Sequence, residues 1–408
     1  MTADFRDNGR KVRPLNVVLI YQRMLPYHLT RFNAIADRLQ SEGKRCLALE
    51  VASTDSSYGQ LDDEGNRSSN NGRIDQKIIC LFPSKDYLDL APKQVADVVE
   101  QALLKIRPSV VFAPAPAFAE GAGALHYKVR YGGKLILMDD AWAGTDQRGW
   151  LTRQVKRAFY AYVDGGFFPS EMHGDYFAGL NVPLERQAYS LDSVGNAVDG
   201  YSNVWEGDAR FLLFVGRLIE RKGLPTLLRA LASLGGDAPE LVVIGDGPQR
   251  QHLEDLARDL GLGAQVHWVG RKSNTETRRA IAAAEALLVP SDFEQWGLVV
   301  NEAWMAGTLV LGSNTIGALR ATATLGSSWM MVPVGNVPAW RSALTRLLEL
   351  PDEERTKLVV EGRKLADQFS LQKHVESASK LMRLPPRSRP FPAIGWLACR
   401  WTGKVAVW

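Results

Sequence analysis

A chain of 408 residues exceeds one ordinary core and fits two domains of roughly 150–200 residues each. With 46% apolar and 23% charged residues, the composition is that of a globular protein and excludes disordered and collagen-like classes. A formal charge of +4, with 49 basic residues interleaved among 45 acidic ones, excludes a dedicated nucleic-acid binder, and only Cys46, Cys80 and Cys399 are present, too few for a disulfide framework or Cys-rich zinc site. Scattered cysteines, a polar start over residues 1–14 and no run of eighteen apolar residues set the expectation of a cytoplasmic protein without secretory signal or spanning helix.

In chain order, residues 15–21 (LNVVLIY) read as a strand, and the spacing of Leu29, Phe32, Ile35, Ala36 and Leu39 predicts a helix after it. The alternation continues with strand 46–51, helix 95–106, strand 110–113, helix 123–131 and strand 134–138. Residues 53–72, dense in Ser, Asn, Gly and Asp, read as a long mobile loop. Turn-rich residues 189–208 read as an interdomain linker. A second series follows, with strands 211–216, 241–245, 266–270, 286–290 and 308–312 and helices 225–234 and 248–260 among them. Alternation of this kind predicts α/β architecture with two Rossmann-like, doubly wound domains facing a central cleft, at residues 1–200 and 201–375. Residues 376–408 form a basic and aromatic tail.

Chemistry concentrates in residues 290–307 (PSDFEQWGLVVNEAWMAG). Glu294 follows a predicted strand, and Glu302 lies eight residues on, inside a helix opening near Trp296 and Gly297. That offset spans at most about 12 Å along a helix axis, so the carboxylates could meet hydroxyls at two depths of one ligand. The alternative is an early Glu offsetting the helix dipole and a later Glu facing water. Arg217 and Lys222 follow the first strand of the second series, where an Arg fork and a Lys point charge suit phosphate oxygens, or form a solvated basic loop beside Glu220. Residues 313–318 (SNTIGA) precede another helical stretch whose free N–H groups could hold the same anion. Residues 245–248 (GDGP) read as a strand-ending turn with Pro at the first helical position, and Arg271 and Lys272 as facing water. In the first half, Arg23, Tyr27 and His28 follow the first strand, while Asp139, Asp140 and Asp146 follow strand 134–138. A carboxylate or His there could orient an acceptor hydroxyl and take its proton. The paired Asp139 and Asp140 read as a helix cap or solvated turn rather than a metal site.

In this order, FVGRLIERKG, LVVIGDGP, VHWVG and the two-glutamate segment resemble the retaining glycosyltransferases of family four, which have the two-domain GT-B fold. MLPYHLTRFNAIA and MDDAWAGTDQRGW resemble a bacterial subgroup of that family. The resemblance implies that Glu294 holds the donor sugar, Glu302 the ribose, and Arg217 and Lys222 the diphosphate. It extends the donor site to Gly216, Trp296, Gly297, Leu298, Asn314 and Gly317. Together with the positions of the first-half residues, this gives Glu294, Arg217, Lys222 and Asp140 as the expected catalytic set and Arg23, Tyr27, His28 and Asp146 as the expected acceptor set. Members generally need no metal, so no metal or other cofactor is expected. The first loop lacks the glycines of many members, and LDSVGNAVD stands where Asn-Gly-Val-Asp is usual.

The expected function is a retaining hexosyltransferase acting from a nucleotide sugar on a carbohydrate or lipid-linked carbohydrate, in polysaccharide or glycoconjugate biosynthesis. The alternatives are a GT-B epimerase or phosphorylase, or a catalytically silent sugar-nucleotide-binding partner. A Rossmann dehydrogenase is disfavoured, since no G-x-G-x-x-G follows residues 15–21. Residues 383–408 interleave Arg and Lys with Phe391, Trp396, Trp401 and Trp408. Such a tail suits peripheral contact at the inner face of a membrane, or else packs back on the first domain or frays.

Overall fold

The computed structural model describes residues 6–7, 10–11, 16–55, 77–146, 149–195, 211–322, 328–388 and 392–405. Most of the expected mobile loop, much of the expected linker and Trp408 lie outside them. The chain forms two compact units, one from Met1–Asp140, Asp146–Leu191 and Leu371–Trp408, the other from Ala141–Thr145 and Asp192–Ser370.

The first unit runs β1 (Asn16–Tyr21), α1 (Pro26–Ser41), β2 (Arg45–Thr54), β3 (Ile78–Asp86), α2 (Pro92–Ile106), β4 (Val110–Ala113), α3 (Ala119–Tyr131), β5 (Lys134–Met138), α4 (Trp150–Tyr160), β6 (Gly165–Phe167), α5 (Glu171–Ala178) and β7 (Gln187–Ala188). The seven strands are parallel, in the order β3-β2-β1-β4-β5-β6-β7. The sheet is doubly wound, with its switch of direction between β1 and β4, where ligands of such sheets bind at the carboxyl ends.

The second unit runs β8 (Phe211–Val215), α6 (Leu224–Ala232), β9 (Glu240–Ile244), α7 (Arg250–Asp259), β10 (Val266–Gly270), α8 (Asn274–Ala283), β11 (Ala286–Val289), α9 (Leu298–Ala306), β12 (Leu309–Ser313), α10 (Gly317–Ala321), β13 (Met331–Val332), α11 (Val337–Leu348) and α12 (Asp352–Gln368). Its six parallel strands follow the same plan, β10-β9-β8-β11-β12-β13, with the switch between β8 and β11. Alternate residues of β8 enter opposite cores, Leu212 and Phe214 on one face, Phe211 and Leu213 on the other. Burial on both faces explains why these strands read as continuous apolar runs.

From Leu371 the chain is again part of the first unit. Helix α13 (Leu371–Arg383) packs Ala378, Leu381 and Met382 into the core that holds Phe32 and Ile35. Its His374 is buried, with Nδ1 2.9 Å from the Ser190 carbonyl, and desolvation pushes its pKa down to about 3. After α14 (Pro392–Ala398), the Trp401 indole donates to the Pro116 carbonyl at 2.7 Å, and Lys404 exchanges backbone bonds with Ala117 and Ala119 at 2.9 and 3.0 Å. Of the outcomes open for the tail, residues 392–405 thus pack on the first unit.

One buried acid beside this contact gives a pH test. Glu120, 2% exposed in the first turn of α3, accepts from the Tyr87 hydroxyl at 2.9 Å, and burial pushes its pKa from 4.5 up to about 7. A raised carboxyl pKa stabilises the fold fully below 4.5, and that contribution is lost as pH rises through 7. Gln at this position keeps an acceptor and has no proton to lose. The gain in melting temperature on Glu120→Gln is therefore expected to be larger at pH 8 than at pH 5. An equal gain at both would show that Glu120 ionises as freely in the fold as in water.

Candidate functional site

Three loops at the carboxyl ends of β8, β11 and β12 lie side by side in the second unit. After β8 the chain passes Gly216 and Arg217, makes a short turn over Glu220–Lys222 and enters α6 through Gly223, whose φ is 65°. A Cβ at Gly223 would sit 2.0 Å from the Pro290 carbonyl oxygen, so only glycine lets this loop cross the one after β11. There the Asp292 amide donates to the Arg221 carbonyl at 2.8 Å.

That crossing brings Lys222 and Glu294 together. The ammonium ion-pairs with Glu294 Oε1, and the fully buried Ser291 hydroxyl donates to the same oxygen at 2.9 Å. Both charged side chains keep part of their surface in solvent, 19% and 12% respectively. Arg217 is half-buried and has no side-chain hydrogen bond or ion pair among the described residues. A fixed carboxylate, a paired ammonium and an uncommitted guanidinium therefore occupy loops flanking one switch point, where a polyhydroxylated anion can be bound.

The third loop locks the second. Glu294 and Ile316 form a parallel bridge, Gly317 N–H donates to the Glu294 carbonyl at 3.2 Å, and Ala318 N–H to that of Trp296 at 2.9 Å. The Thr315 hydroxyl adds a bond to the Ser291 carbonyl at 3.3 Å. This corrects the expectation for Gly317. Its N–H is spent on the neighbouring loop, and α10 is only five residues long, too short for a strong N-terminal dipole. Trp296 is also corrected. It is 2% exposed and packs edge-on against Phe369 at 4.8 Å, filling core instead of facing a ligand. Helix α9 begins at Leu298 rather than near Trp296, because Gly297 takes a left-handed φ of 96° and ends the loop. Gly216, Gly297 and Asn314 are half-buried on these loops, and Leu298 is half-buried at the start of α9.

Glu302, on the second turn of α9, lies 3.5 Å from Arg278 Nε and is about a fifth exposed. In the turn after β9, a Cβ at Gly245 would lie 1.8 Å from the Gly216 carbonyl oxygen. That turn backs the β8 loop, in keeping with a structural reading, although α7 starts at Arg250 and not at Pro248.

In the first unit, Arg23, Tyr27 and His28 lie beyond the end of β1. Arg23 is buried at 5% exposure, and the Met24 amide donates to the buried Glu50 carboxylate at 2.9 Å. Tyr27 carries the Arg31 guanidinium over its ring at 5.0 Å. The His28 ring stacks on Tyr21 at 4.7 Å, with Nδ1 2.9 Å from the Arg23 carbonyl. Desolvation, reinforced by Arg31, pushes its pKa down to about 3. His28 is thus a neutral imidazole that can accept a hydrogen bond but is too weak a base to hold a proton near neutrality. Asp140 is half-buried at the end of the first segment of this unit. Asp146 is corrected, since its carboxylate is 2% exposed and takes bonds from Lys156, at 3.2 Å, and the Tyr176 hydroxyl. A buried pair of this kind belongs to the fold of the unit.

Ser291 and Arg278 escaped the sequence reading. Ser291 had a local signal, a hydroxyl three residues before Glu294. Arg278 had none, because it reaches Glu302 across two helices. No group of three His, Cys, Asp or Glu side chains able to hold a metal occurs among the described residues, and no helix there is long and apolar enough to cross a membrane.

Residues 201–365 match the family model for glycosyl transferases group 1. The lipopolysaccharide core biosynthesis glycosyltransferase LpsE of Rhizobium meliloti is 31% identical over 191 residues, 47% of this chain and 54% of that protein, so the match spans about half the length of this curated relative. Sucrose-phosphate synthase from Thermosynechococcus elongatus superposes with a TM-score of 0.68 at 19% identity, covering 90% of this chain and 98% of that one. HepE of Anabaena, in complex with UDP and glucose, gives 0.61 at 13%, covering 90% and 98%. At such identities the likeness is one of fold, the two-sheet GT-B architecture. Residues 201–365, within the stretch that forms most of the second unit, are thus what resembles the group 1 glycosyltransferases, and the fold likeness extends over both sheets.

Proposed function

We propose that the chain moves a hexosyl group from a nucleoside-diphosphate sugar to a hydroxyl of a carbohydrate or lipid-linked carbohydrate, with retention of configuration, in surface polysaccharide or glycoconjugate assembly. The observation that carries this reading is the Lys222–Glu294–Ser291 cluster at the β8/β11 switch point. Glu294 holds the sugar hydroxyls and Glu302 the ribose, while Lys222 and Arg217 meet the diphosphate. As the glycosidic C–O bond breaks, negative charge grows on the diphosphate, and these cations stabilise it. The acceptor hydroxyl attacks the same face and its proton passes to the departing diphosphate oxygen. His28 and Asp140 orient the acceptor. The LpsE likeness supports a lipopolysaccharide-type acceptor, and the UDP and glucose bound by HepE make a UDP-hexose the first donor to test.

Side-chain cations supply the charge compensation, so no metal is required. The protein acts in the cytoplasm, at the inner face of the membrane. Support for lipid contact comes from Trp396, 62% exposed with the Arg400 guanidinium 3.6 Å over its ring, and Leu397, 49% exposed. The deciding experiment is a thermal-shift screen of UDP-, GDP- and ADP-hexoses, followed by release of nucleoside diphosphate in EDTA and co-sedimentation with anionic vesicles at two salt concentrations. Specific stabilisation by one donor, slow release that persists in EDTA, and salt-sensitive vesicle binding are expected. A donor that binds without turnover across a broad acceptor panel favours a silent partner, activity lost in EDTA removes the metal-free mechanism, and absence of vesicle binding removes the lipid contact.

A further inference from the structure

Arg278 joins two things that sequence distance separates. It lies on α8, which opens with a reciprocal cap between Ser273 and Glu276. Its Nε faces Glu302 Oε1 at 3.5 Å, and its Nη2 donates to the Gly195 carbonyl at 2.8 Å. One residue before Glu302, the fully buried Asn301 donates to the Asp192 carbonyl at 2.7 Å. The Ser193 hydroxyl in turn donates to the Ser370 carbonyl at 3.2 Å. Helices α8 and α9 therefore grip residues 192–195 at both ends, and the same guanidinium that grips them pairs with Glu302.

A glutamate on a helix surface has several rotamers, and a diol ligand must select one at an entropic cost. A planar guanidinium with one nitrogen tethered to backbone offers the carboxylate a fixed partner, which a lysine point charge would not. We infer that Arg278 is a positioning residue that aims Glu302 at the ribose hydroxyls of the donor nucleotide, with the Gly195 carbonyl holding the guanidinium in place. This rests on the reading of Glu302 as the ribose ligand. Arg278 acts through Glu302 and touches no reacting atom.

Calorimetry with UDP, GDP and ADP and their 2′-deoxy counterparts tests it, using whichever base binds the full chain. The wild type should bind the ribose form about tenfold or more tighter than the deoxy form, as expected for hydrogen bonds to a charged group. Glu302→Ala should bring that ratio close to one. Arg278→Ala should reduce it by at least about threefold, and Arg278→Gln, which keeps a donor for Gly195 without the charge, should do the same. A merely structural role would lower the melting temperature and both affinities together, leaving the ratio intact. If both Arg278 variants keep the wild-type ratio while Glu302→Ala abolishes it, the positioning role is overturned and the ribose reading stands. If no nucleotide binds, or Glu302→Ala leaves the ratio unchanged, the reading of the site falls and this inference with it.

Discussion

Replacing Glu294 by Ala is expected to lower single-turnover sugar transfer by about a hundredfold or more, with nucleotide affinity changed only a few-fold. The carboxylate sits where the β11 loop crosses the β8 loop, with Lys222 and Ser291 both on Oε1. A group held in one orientation binds the sugar without being reordered as the glycosidic bond breaks, so its removal costs more in the transition state than in the ground state. Loss of Glu294 also releases Lys222 from its ion pair and leaves that ammonium to the diphosphate alone, which holds up donor affinity. Glu302→Ala should act in the opposite sense, weakening nucleotide binding with a smaller change in the rate of bound donor, because ribose contacts persist throughout the reaction. Single-turnover kinetics and calorimetry on the two variants separate these effects. If neither variant differs from wild type, the donor assignment is wrong.

The doubly wound sheets were legible because their central strands are buried on both faces and read as short β-branched runs. Strands 110–113, 134–138 and 266–270 coincide with β4, β5 and β10. Where the fold was missed, pattern and context conflict. Strand β3 contains Pro83, which counts against a strand in sequence, yet β3 is the edge of its sheet, where a missing N–H is tolerated. Strands β6, β7 and β13 have only two or three residues and carry no period to detect.

The candidate site divides along a similar line. Glu294, Lys222 and Ser291 lie on adjacent loops whose positions follow from strand order, so two of the three were nameable from the residues themselves. Trp296 and Asp146 misled because residue type alone does not report burial. Their neighbours Phe369 and Lys156 lie 73 and 10 residues away in sequence. Gly317 misled in a subtler way. A glycine opening a helix suits anion binding by type, but its N–H is committed to the Glu294 carbonyl.

That commitment makes Gly317→Ala a damaging small change in the second unit. A methyl group there would lie 1.9 Å from the Gln295 carbonyl oxygen and 3.1 Å from the Trp296 Cα, both backbone atoms that no rotamer change can move aside. The clash pushes the β12 loop off the β11 loop, breaks the bonds from Gly317 and Ala318, and tilts the segment carrying Glu294. Overpacking of this kind costs about 1–3 kcal/mol, and the upper end applies where backbone must shift, corresponding to a fall of roughly 5–10 °C in melting temperature. Donor affinity should fall with it, by about tenfold, because Glu294 and Lys222 are displaced together. Gly236→Ala is the control, an exposed glycine where an added methyl would meet no atom within 4 Å and where φ is not left-handed, so it should be neutral or slightly stabilising. Thermal denaturation and donor titration of both variants decide the matter. A Gly317→Ala protein that melts and binds donor like the Gly236→Ala control would mean that the two loops are not clamped in solution and that Glu294 owes its position to Lys222 and Ser291 alone.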